Sequence, residues 1–216
     1  MIREVVLTRI NLFFLGLLAL VTLCAFVAVP PEASIPVHWG ISGEADGFAA
    51  RDQAFLMMPV VVVAVLALFA AILTVSPGGQ VKAGKASLSV VLSALIVLFL
   101  TIQTGMLLIG LGVAVNMVQM IALAMALLLI LAGNVLPKSQ PNRLAGLRLP
   151  WTLGDSGNWR ATHRLVGVLM IASGLVLAAI ALLPVQPAAL LAALIIAVAV
   201  PLAIGTIYSY RLSKRA

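Results

Sequence analysis

Six long apolar stretches dominate the sequence, and they decide what this chain can fold into. They cover roughly residues 10–29, 54–75, 88–111, 114–136, 165–183 and 188–210, and none of them contains a charged residue. A hydrocarbon core about 30 Å thick requires about 20 apolar residues in a helix that rises about 1.5 Å per residue. Each stretch meets that requirement. We therefore predict an all-α integral membrane protein, a bundle of six transmembrane helices.

The composition excludes several classes of protein. Charged residues make up 9% of the chain and apolar residues 63%, whereas about 25% of the residues in a soluble domain are charged. So few charges exclude a soluble enzyme and a disordered chain. The formal net charge of +7 resembles that of a nucleic-acid-binding protein. However, the basic residues lie at the ends of the apolar stretches rather than along one face, so we expect no direct nucleic-acid binding.

The distribution of lysine and arginine between the loops predicts the orientation of the helices. Twelve of the thirteen basic residues fall within 1–9, 76–87, 137–164 and 211–216, and Arg51 is alone on the other side. Short cytoplasmic loops of membrane proteins are enriched in basic residues. We therefore expect the N-terminus and the C-terminus to be cytoplasmic.

Two loops are much longer than the others and contain most of the polar residues. The outer loop covers residues 30–53, and the inner loop covers residues 137–164. We accordingly divide the chain into residues 1–75, the first two helices with the outer loop, and residues 76–216, four helices with the inner loop. Because long loops on a rigid scaffold usually carry function, we expect the functional site in these two loops.

The outer loop places His38 close in sequence to Glu44 and Asp46. Gly40, Gly43 and Gly47 permit tight turns with positive φ, which would bring these side chains together. One interpretation is a site for a metal ion or a cationic peptide; the other is a structured loop in which His38 bonds a carboxylate. One histidine with two acids is a sparse ligand set for zinc, so we expect no metal and no cofactor. The candidate binding residues are His38, Trp39, Gly43, Glu44, Asp46 and Gly47.

The inner loop leads into the fifth stretch through a helix start. Asp155 or Ser156 is a good N-cap, and on the helix that follows Trp159 and His163 are four residues apart and share a face. The candidate residues for binding or signalling are Asn134, Pro137, Lys138, Asn142, Arg148, Trp151, Thr152, Trp159, His163 and Arg164.

Arg160 and Arg164 also share a face of this helix. Two cations beside a helix N-terminus suit an anion such as a lipid phosphate. The alternative is the usual basic collar that pairs with lipid headgroups, and the arginines alone do not decide between the two.

A small uncharged polar set lies within the third and fourth stretches. It comprises Thr101, Gln103, Thr104, Asn116 and Gln119. Because the turn between these stretches is tight, we expect the five side chains at similar depth, able to hydrogen-bond across the helix pair. A polar groove under the outer loop is the alternative. The stretches lack the charged residues on which most ion and proton transporters depend.

Both loops resemble those of the SdpI family of bacterial membrane proteins. The outer loop is similar to that family's N-terminal domain of unknown function through Pro36, His38, Gly43, Asp46, Gly47 and, in the next helix, Pro59. The inner segment is similar to the SdpI signature through Gly133-Asn134, Leu136-Pro137-Lys138, Pro141-Asn142, Gly146, Arg148, Pro150-Trp151-Thr152-Leu153, Trp159, Thr162-His163-Arg164 and Gly167. Leu147, Leu149 and the Trp39-Gly40 pair depart from the expected pattern.

The resemblance implies a multi-pass immunity protein of the bacterial cytoplasmic (inner) membrane that gives resistance to a membrane-active toxin peptide and is not an enzyme. Its expected partners are membrane lipids, a cationic toxin peptide outside and, with signal transduction across the membrane, a cytoplasmic regulator. Three alternatives remain: a small transporter or exporter, an intramembrane enzyme that uses His163, Asn134 and Arg148, and a purely structural partner protein.

Overall fold

A computed structural model describes residues 2–215. Within that range, six helices are long and apolar enough to cross a membrane. These six are α2 (Arg9–Ala28), α3 (Arg51–Val75), α4 (Gly78–Gly110), α5 (Met117–Val135), α7 (Ser156–Ala181) and α8 (Pro187–Ser213). Two short helices, α1 (Ile2–Val5) and α6 (Pro150–Gly154), a 3₁₀ turn (Leu136–Lys138) and two strands, β1 (Ser34–Trp39) and β2 (Ala45–Ala50), complete the fold. The predicted six-helix membrane bundle is confirmed.

Two of the helices begin about ten residues earlier than their apolar stretches. Helix α4 starts at Gly78 rather than near residue 88, and α7 starts at Ser156 rather than near residue 165. Hydropathy marks only the part of a helix that suits hydrocarbon, whereas backbone hydrogen bonding continues into the polar turns beyond it. The N-cap of α7 is Asp155, whose carboxylate accepts a hydrogen bond of 2.7 Å from the backbone N–H of Gly157.

Helix α4 lies at the centre of the packing order. Helices α2 and α3 pack against it on one side and α5 on the other, and α5 in turn packs against α7 and α8. Helices α5 and α7 approach most closely at Gly133 and Gly167, where a Cβ on either glycine would lie 2.6 Å from the carbonyl oxygen of the other. The close approach fixes the position of the inner loop, which begins just after α5.

The two ends of the bundle differ in character. We call the end that contains residues 29–50, 111–116 and 182–186 the hairpin end, and the opposite end, with residues 2–8, 76–87 and 136–160, the basic end. At the basic end, the Lys85 ammonium lies 3.2 Å from the Glu4 carboxylate and holds the pKa of Glu4 below its usual value. Asn11, fully buried, donates to the carbonyl oxygens of Val5 and Val6, which fixes α1 against the bundle.

The outer loop folds into an antiparallel β-hairpin, which the sequence analysis did not predict. Ser34 lies opposite Ala50 and Trp39 opposite Ala45, with an irregular register at His38. The turn is closed by two backbone hydrogen bonds of 2.9 Å, from Gly40 to Glu44 and from Gly43 to Gly40. Gly43 has a φ of +82°, a conformation that favours glycine. The turn predicted at this glycine is therefore present, whereas Gly40 and Gly47 have no positive φ, and Gly47 lies within β2.

Candidate functional site

The hairpin brings His38 and Asp46 together across its two strands. Their Nδ1 and Oδ1 atoms are 2.5 Å apart, and both side chains are more than half exposed. Gly47 permits this pairing, because a Cβ there would lie 2.9 Å from the Cβ of His38. Within residues 2–215, no three or more His, Cys, Asp or Glu side chains are grouped as a metal site would require. The geometry matches the interpretation in which His38 bonds a carboxylate.

The exposed surface of the hairpin is acidic. Glu44 and Asp46 are both exposed. The guanidinium of Arg51, the basic residue of this loop, is directed back to the protein: it donates to Asp52 at 2.8 Å and to the carbonyl oxygen of Val29 at 2.9 Å. Its charge is therefore paired at the base of the hairpin. The Glu44 carboxylate, and the Asp46 oxygen that does not bond His38, remain available to a cationic partner.

A largely apolar cavity of about 360 Å³ lies beneath the hairpin. The hairpin forms its roof, and helices α3, α4, α5 and α8 form its walls. The tip of the hairpin rests on the first turn of α8, where Gly43 is packed against Pro187. We call it the hairpin cavity; its lining includes Trp39, Ile41, Ile102, Ile121, Leu190 and Leu194. The sequence suggested a polar groove under the outer loop as an alternative, whereas the cavity found there is largely apolar. Its lining could not be predicted, because its residues come from five separate segments.

At the basic end, His163 is completely buried and uses both ring nitrogens. Its Nδ1 lies 2.8 Å from the carbonyl oxygen of Trp159, so this nitrogen carries the proton and donates. Its Nε2 accepts a hydrogen bond of 2.9 Å from the backbone N–H of Leu147. The ring also stacks on that of Trp159, at a centroid distance of 3.9 Å, as their spacing predicted. His163 thus has no free nitrogen for a metal ion or for proton transfer.

Other buried members of the inner-loop signature are occupied in the same way. The indole N–H of Trp159 donates to the carbonyl oxygen of Ser139 at 3.0 Å. The carboxamide oxygen of Asn142 accepts from two successive backbone N–H groups, those of residues 144 and 145. The hydroxyl of Thr152 donates to the carbonyl oxygen of Leu147 at 2.7 Å. We call Asn142, Thr152, Trp159 and His163 the inner-loop network, since together they hold residues 139–149 in place.

A second group of hydrogen bonds ties the inner loop to the last helix. The indole N–H of Trp151 donates to the hydroxyl of Ser209 at 2.9 Å, and the side-chain amide of Asn158 donates to the carbonyl oxygen of the same serine at 2.9 Å. Thr162 in turn donates to the carboxamide oxygen of Asn158. Helices α6, α7 and α8 are thereby linked at the basic end.

The remaining candidate residues of the inner region are exposed. They are Asn134, Pro137, Lys138, Arg148 and Arg164. Arg148 donates to the carbonyl oxygen of Arg143 at 2.8 Å, and this hydrogen bond links two exposed residues of the inner loop. The candidate residues thus divide into buried or half-buried groups that hydrogen-bond within the protein and exposed groups that face the surroundings.

The polar residues of the third and fourth stretches do not bond across their helix pair, which corrects the prediction. Gln103 instead donates to the hydroxyl of Thr22 in α2 and to the carbonyl oxygen of Phe55 in α3, at 3.0 and 2.9 Å. Pro59 explains this choice: it has no N–H to bond the carbonyl four residues earlier, so the Phe55 carbonyl needs another donor.

The other four polar residues act locally or reach a different helix. Asn116 is the N-cap of α5 and accepts from the backbone N–H of Gln119. The side chain of Gln119 donates to the carbonyl oxygen of Leu183, just beyond α7. Thr101 and Thr104 each donate to a carbonyl of their own helix, four residues back. The set therefore caps and links helices, and it does not form a single cluster.

Comparison with known proteins identifies both loops. The model of the SdpI/YfhL protein family matches residues 138–209, and that of a domain of unknown function, DUF1648, matches residues 13–63. The Immunity protein SdpI of Bacillus subtilis (strain 168) is 27% identical over 206 residues, which cover 95% of this chain and 95% of that protein. No solved structure matches the chain. The resemblance drawn from the loop motifs is therefore confirmed: the inner region matches the SdpI/YfhL family model, the outer region matches the DUF1648 model, and the chain is similar to an immunity protein over nearly its whole length.

Proposed function

We propose that this protein is a membrane immunity protein that protects the cell carrying it against a membrane-active peptide. The observation that carries the proposal is the match to an immunity protein over 95% of both chains, which includes the outer loop and the inner loop together. A match confined to one loop would support only a shared structural module. The coverage supports a shared task.

The hairpin is the part of the molecule that suits a cationic peptide best. Glu44 and Asp46 are exposed beside the His38 ring, and Arg51 is occupied by Asp52 and backbone carbonyls. Attraction between this acidic surface and a basic peptide would raise the local concentration of peptide and speed its encounter with the protein. Trp39, Gly43 and Gly47 act with them by shaping the hairpin.

The inner loop would carry the response on the other side of the membrane. We place both termini and the inner loop in the cytoplasm of a bacterial cell, with residues 1–75 meeting the peptide and residues 76–216 providing the inner region. The exposed groups Lys138, Arg148 and Arg164 are then the ones that meet lipid headgroups or a cytoplasmic regulator. The inner-loop network keeps the backbone that presents them in one conformation.

The enzyme alternative and the transporter alternative each lack a comparable supporting observation. The enzyme would need His163 as an acid, base or ligand, and both of its ring nitrogens are bonded within the protein. A transporter of ions or protons would need charged groups inside the bundle, and the apolar stretches contain none.

The proposal is tested by the survival of a peptide-sensitive bacterium that expresses this protein. Cells are challenged with a panel of cationic, membrane-active peptides, and the membrane level of each variant is measured by immunoblot. We expect the wild-type chain to raise the inhibitory concentration of at least one peptide. We expect the single variant Glu44→Gln to lose part of that protection, because the hairpin attracts cations less strongly while the bond between His38 and Asp46 is kept.

Glu32→Gln is the matched control, since it removes an exposed carboxylate of the same loop outside the hairpin. It should protect nearly as well as the wild type. Absence of protection by the wild-type chain at a normal membrane level, against every peptide in the panel, would contradict the proposed function. Equal losses for Glu32→Gln and for the hairpin variant would assign the effect to net charge alone.

A further inference from the structure

The hairpin cavity lies at the hairpin end of the bundle, between the hairpin and the apolar parts of the helices. Its roof is β1 and the following turn, and its floor includes Ile102 in α4 and Ala122 in α5, the latter buried. Two residues at its edge, Ile41 and Leu191, are 70% and 40% exposed. The cavity is therefore open beside the hairpin rather than sealed within the bundle.

The size and polarity of the cavity fit side chains rather than a whole helix. Its volume of about 360 Å³ is at the small end of ligand pockets, which range over about 300–1,000 Å³. Its walls are aliphatic and aromatic, with His38 as the ionisable residue of the lining. Burial of one or two leucine-sized or aromatic side chains would fill much of it.

The charge beside the cavity distinguishes a basic peptide from a phospholipid. Glu44 and Asp46 project from the hairpin that roofs it, and both are exposed. The phosphate of a lipid whose chain entered the cavity would approach these carboxylates and be repelled. The lysines of an amphipathic peptide would be attracted at the same place. Such peptides bury an apolar face at the membrane boundary and keep their basic face in the polar layer, so they carry both kinds of group that the cavity and its carboxylates would bind.

We propose that the hairpin cavity binds apolar side chains of a cationic amphipathic peptide while Glu44 and Asp46 pair with its basic side chains. The inference rests on the proposed function and names the site at which it acts. Neither feature is sufficient by itself: the cavity supplies burial, and the carboxylates select a basic partner. The contact of Gly43 with Pro187 keeps the roof over the cavity.

Binding of a defined probe to the full chain tests the proposal. The protein is placed in phosphatidylcholine nanodiscs, and the probe is a short synthetic peptide of leucine and lysine patterned as an amphipathic helix. We expect Val118→Trp, which fills the cavity, to raise the dissociation constant about tenfold or more, because at least one apolar side chain loses its buried site. We expect Glu44→Gln to raise it about 2- to 5-fold, as for an exposed ion pair.

Two matched controls separate the cavity from general effects at this end. Val113→Trp adds the same side chain at an exposed position of the α4–α5 turn outside the cavity, and it should bind as the wild type does. In a second measurement, the photo-reactive residue p-benzoylphenylalanine replaces Leu191 at the cavity edge or Leu183, exposed at the same end. This cross-linking measurement gives a result even if Val118→Trp does not fold.

A peptide adduct at position 191 and none at position 183 would support the proposal. Lipid adducts alone at position 191, or an unchanged dissociation constant for a correctly folded Val118→Trp, would overturn it. Survival assays distinguish failure of the cavity proposal from failure of the proposed function. If Val118→Trp protects cells as the wild type does, the cavity is not the site and the proposed function stands. If the wild type fails to protect cells, the proposed function fails. The dissociation constants in nanodiscs then still show whether the cavity binds the peptide.

Discussion

Replacement of His163 by phenylalanine should loosen the inner loop by an amount that the hydrogen bonds predict. Phenylalanine keeps a flat ring that can stack on Trp159, but it removes both nitrogens. The Trp159 carbonyl loses one donor and still accepts from the backbone of its own helix. The N–H of Leu147 loses its acceptor and has no replacement.

The cost follows from leaving that one N–H unpaired. An unsatisfied buried donor costs about 1–3 kcal/mol, and Leu147 is half-buried, so the lower part of that range, about 1–2 kcal/mol, applies. A change of that size raises the population of the open loop about 5- to 30-fold. The rest of the bundle should keep its stability, because the lost bond lies in the loop.

Hydrogen–deuterium exchange of the full chain in nanodiscs measures this directly. Exchange of the backbone amides in residues 144–149 should accelerate about 5- to 30-fold in His163→Phe, since local opening limits it. Trypsin provides an independent measurement, because Arg143 and Arg148 lie in the segment that would open.

Two controls isolate the effect. Arg164→Gln changes the neighbouring residue, which is exposed, and His38→Phe makes the same substitution at the hairpin end. Neither should alter exchange in residues 144–149. Unchanged exchange at Leu147 in His163→Phe would refute the reasoning. Loss of protection in cells together with unchanged exchange would show that His163 contributes by some means other than holding the loop closed.

Two further predictions concern the helix interior and the inner-loop turn. The loss of unfolding free energy caused by Gln103→Leu should be about 0.6–1.7 kcal/mol smaller in a Pro59→Ala background than in the wild type. The reason is that residue 59 then supplies the N–H that the Phe55 carbonyl needs. Reversible unfolding in mixed micelles measures this difference. Gly146→Ala should open the inner loop at a cost of about 1–3 kcal/mol, since Gly146 has a φ of +113° and packs against the His163 ring. Gly154→Ala, at a glycine with open space around its Cβ position, is its control, and equal proteolysis of the two variants would contradict the argument.

The membrane bundle could be predicted from the sequence because hydrocarbon imposes a strict rule. Every backbone polar group inside the bilayer needs an internal partner, so an apolar stretch of about 20 residues has little choice except a helix. The same rule stops at the membrane boundary. It therefore said nothing about the ten additional residues of α4 from Gly78 onward.

The hairpin and the partner of Gln103 could not be predicted, for different reasons. The strands are six residues each and are interrupted by an irregular register at His38, so their alternation is too short to stand out. The partner of Gln103 depends on how α4 is rotated about its axis. That rotation depends on contacts with α2 and α3. Pro59 leaves the Phe55 carbonyl of α3 without its helical donor, and this carbonyl accepts a hydrogen bond from Gln103. Position along a helix indicates depth, but it does not indicate direction.

The inner-loop signature shows why residue types alone are a poor guide to chemistry. Histidine, tryptophan, asparagine and threonine in one short segment resemble a catalytic or binding site. A buried polar side chain costs free energy unless it is hydrogen-bonded, and here each member of the inner-loop network bonds a backbone group of the loop or its helix. The signature therefore specifies a shape. Under the proposed function, a partner at this end would contact what that shape presents, namely the exposed cations Lys138, Arg148 and Arg164. A charge reversal such as Arg164→Glu should thus alter partner binding without opening the loop, whereas His163→Phe should open it first.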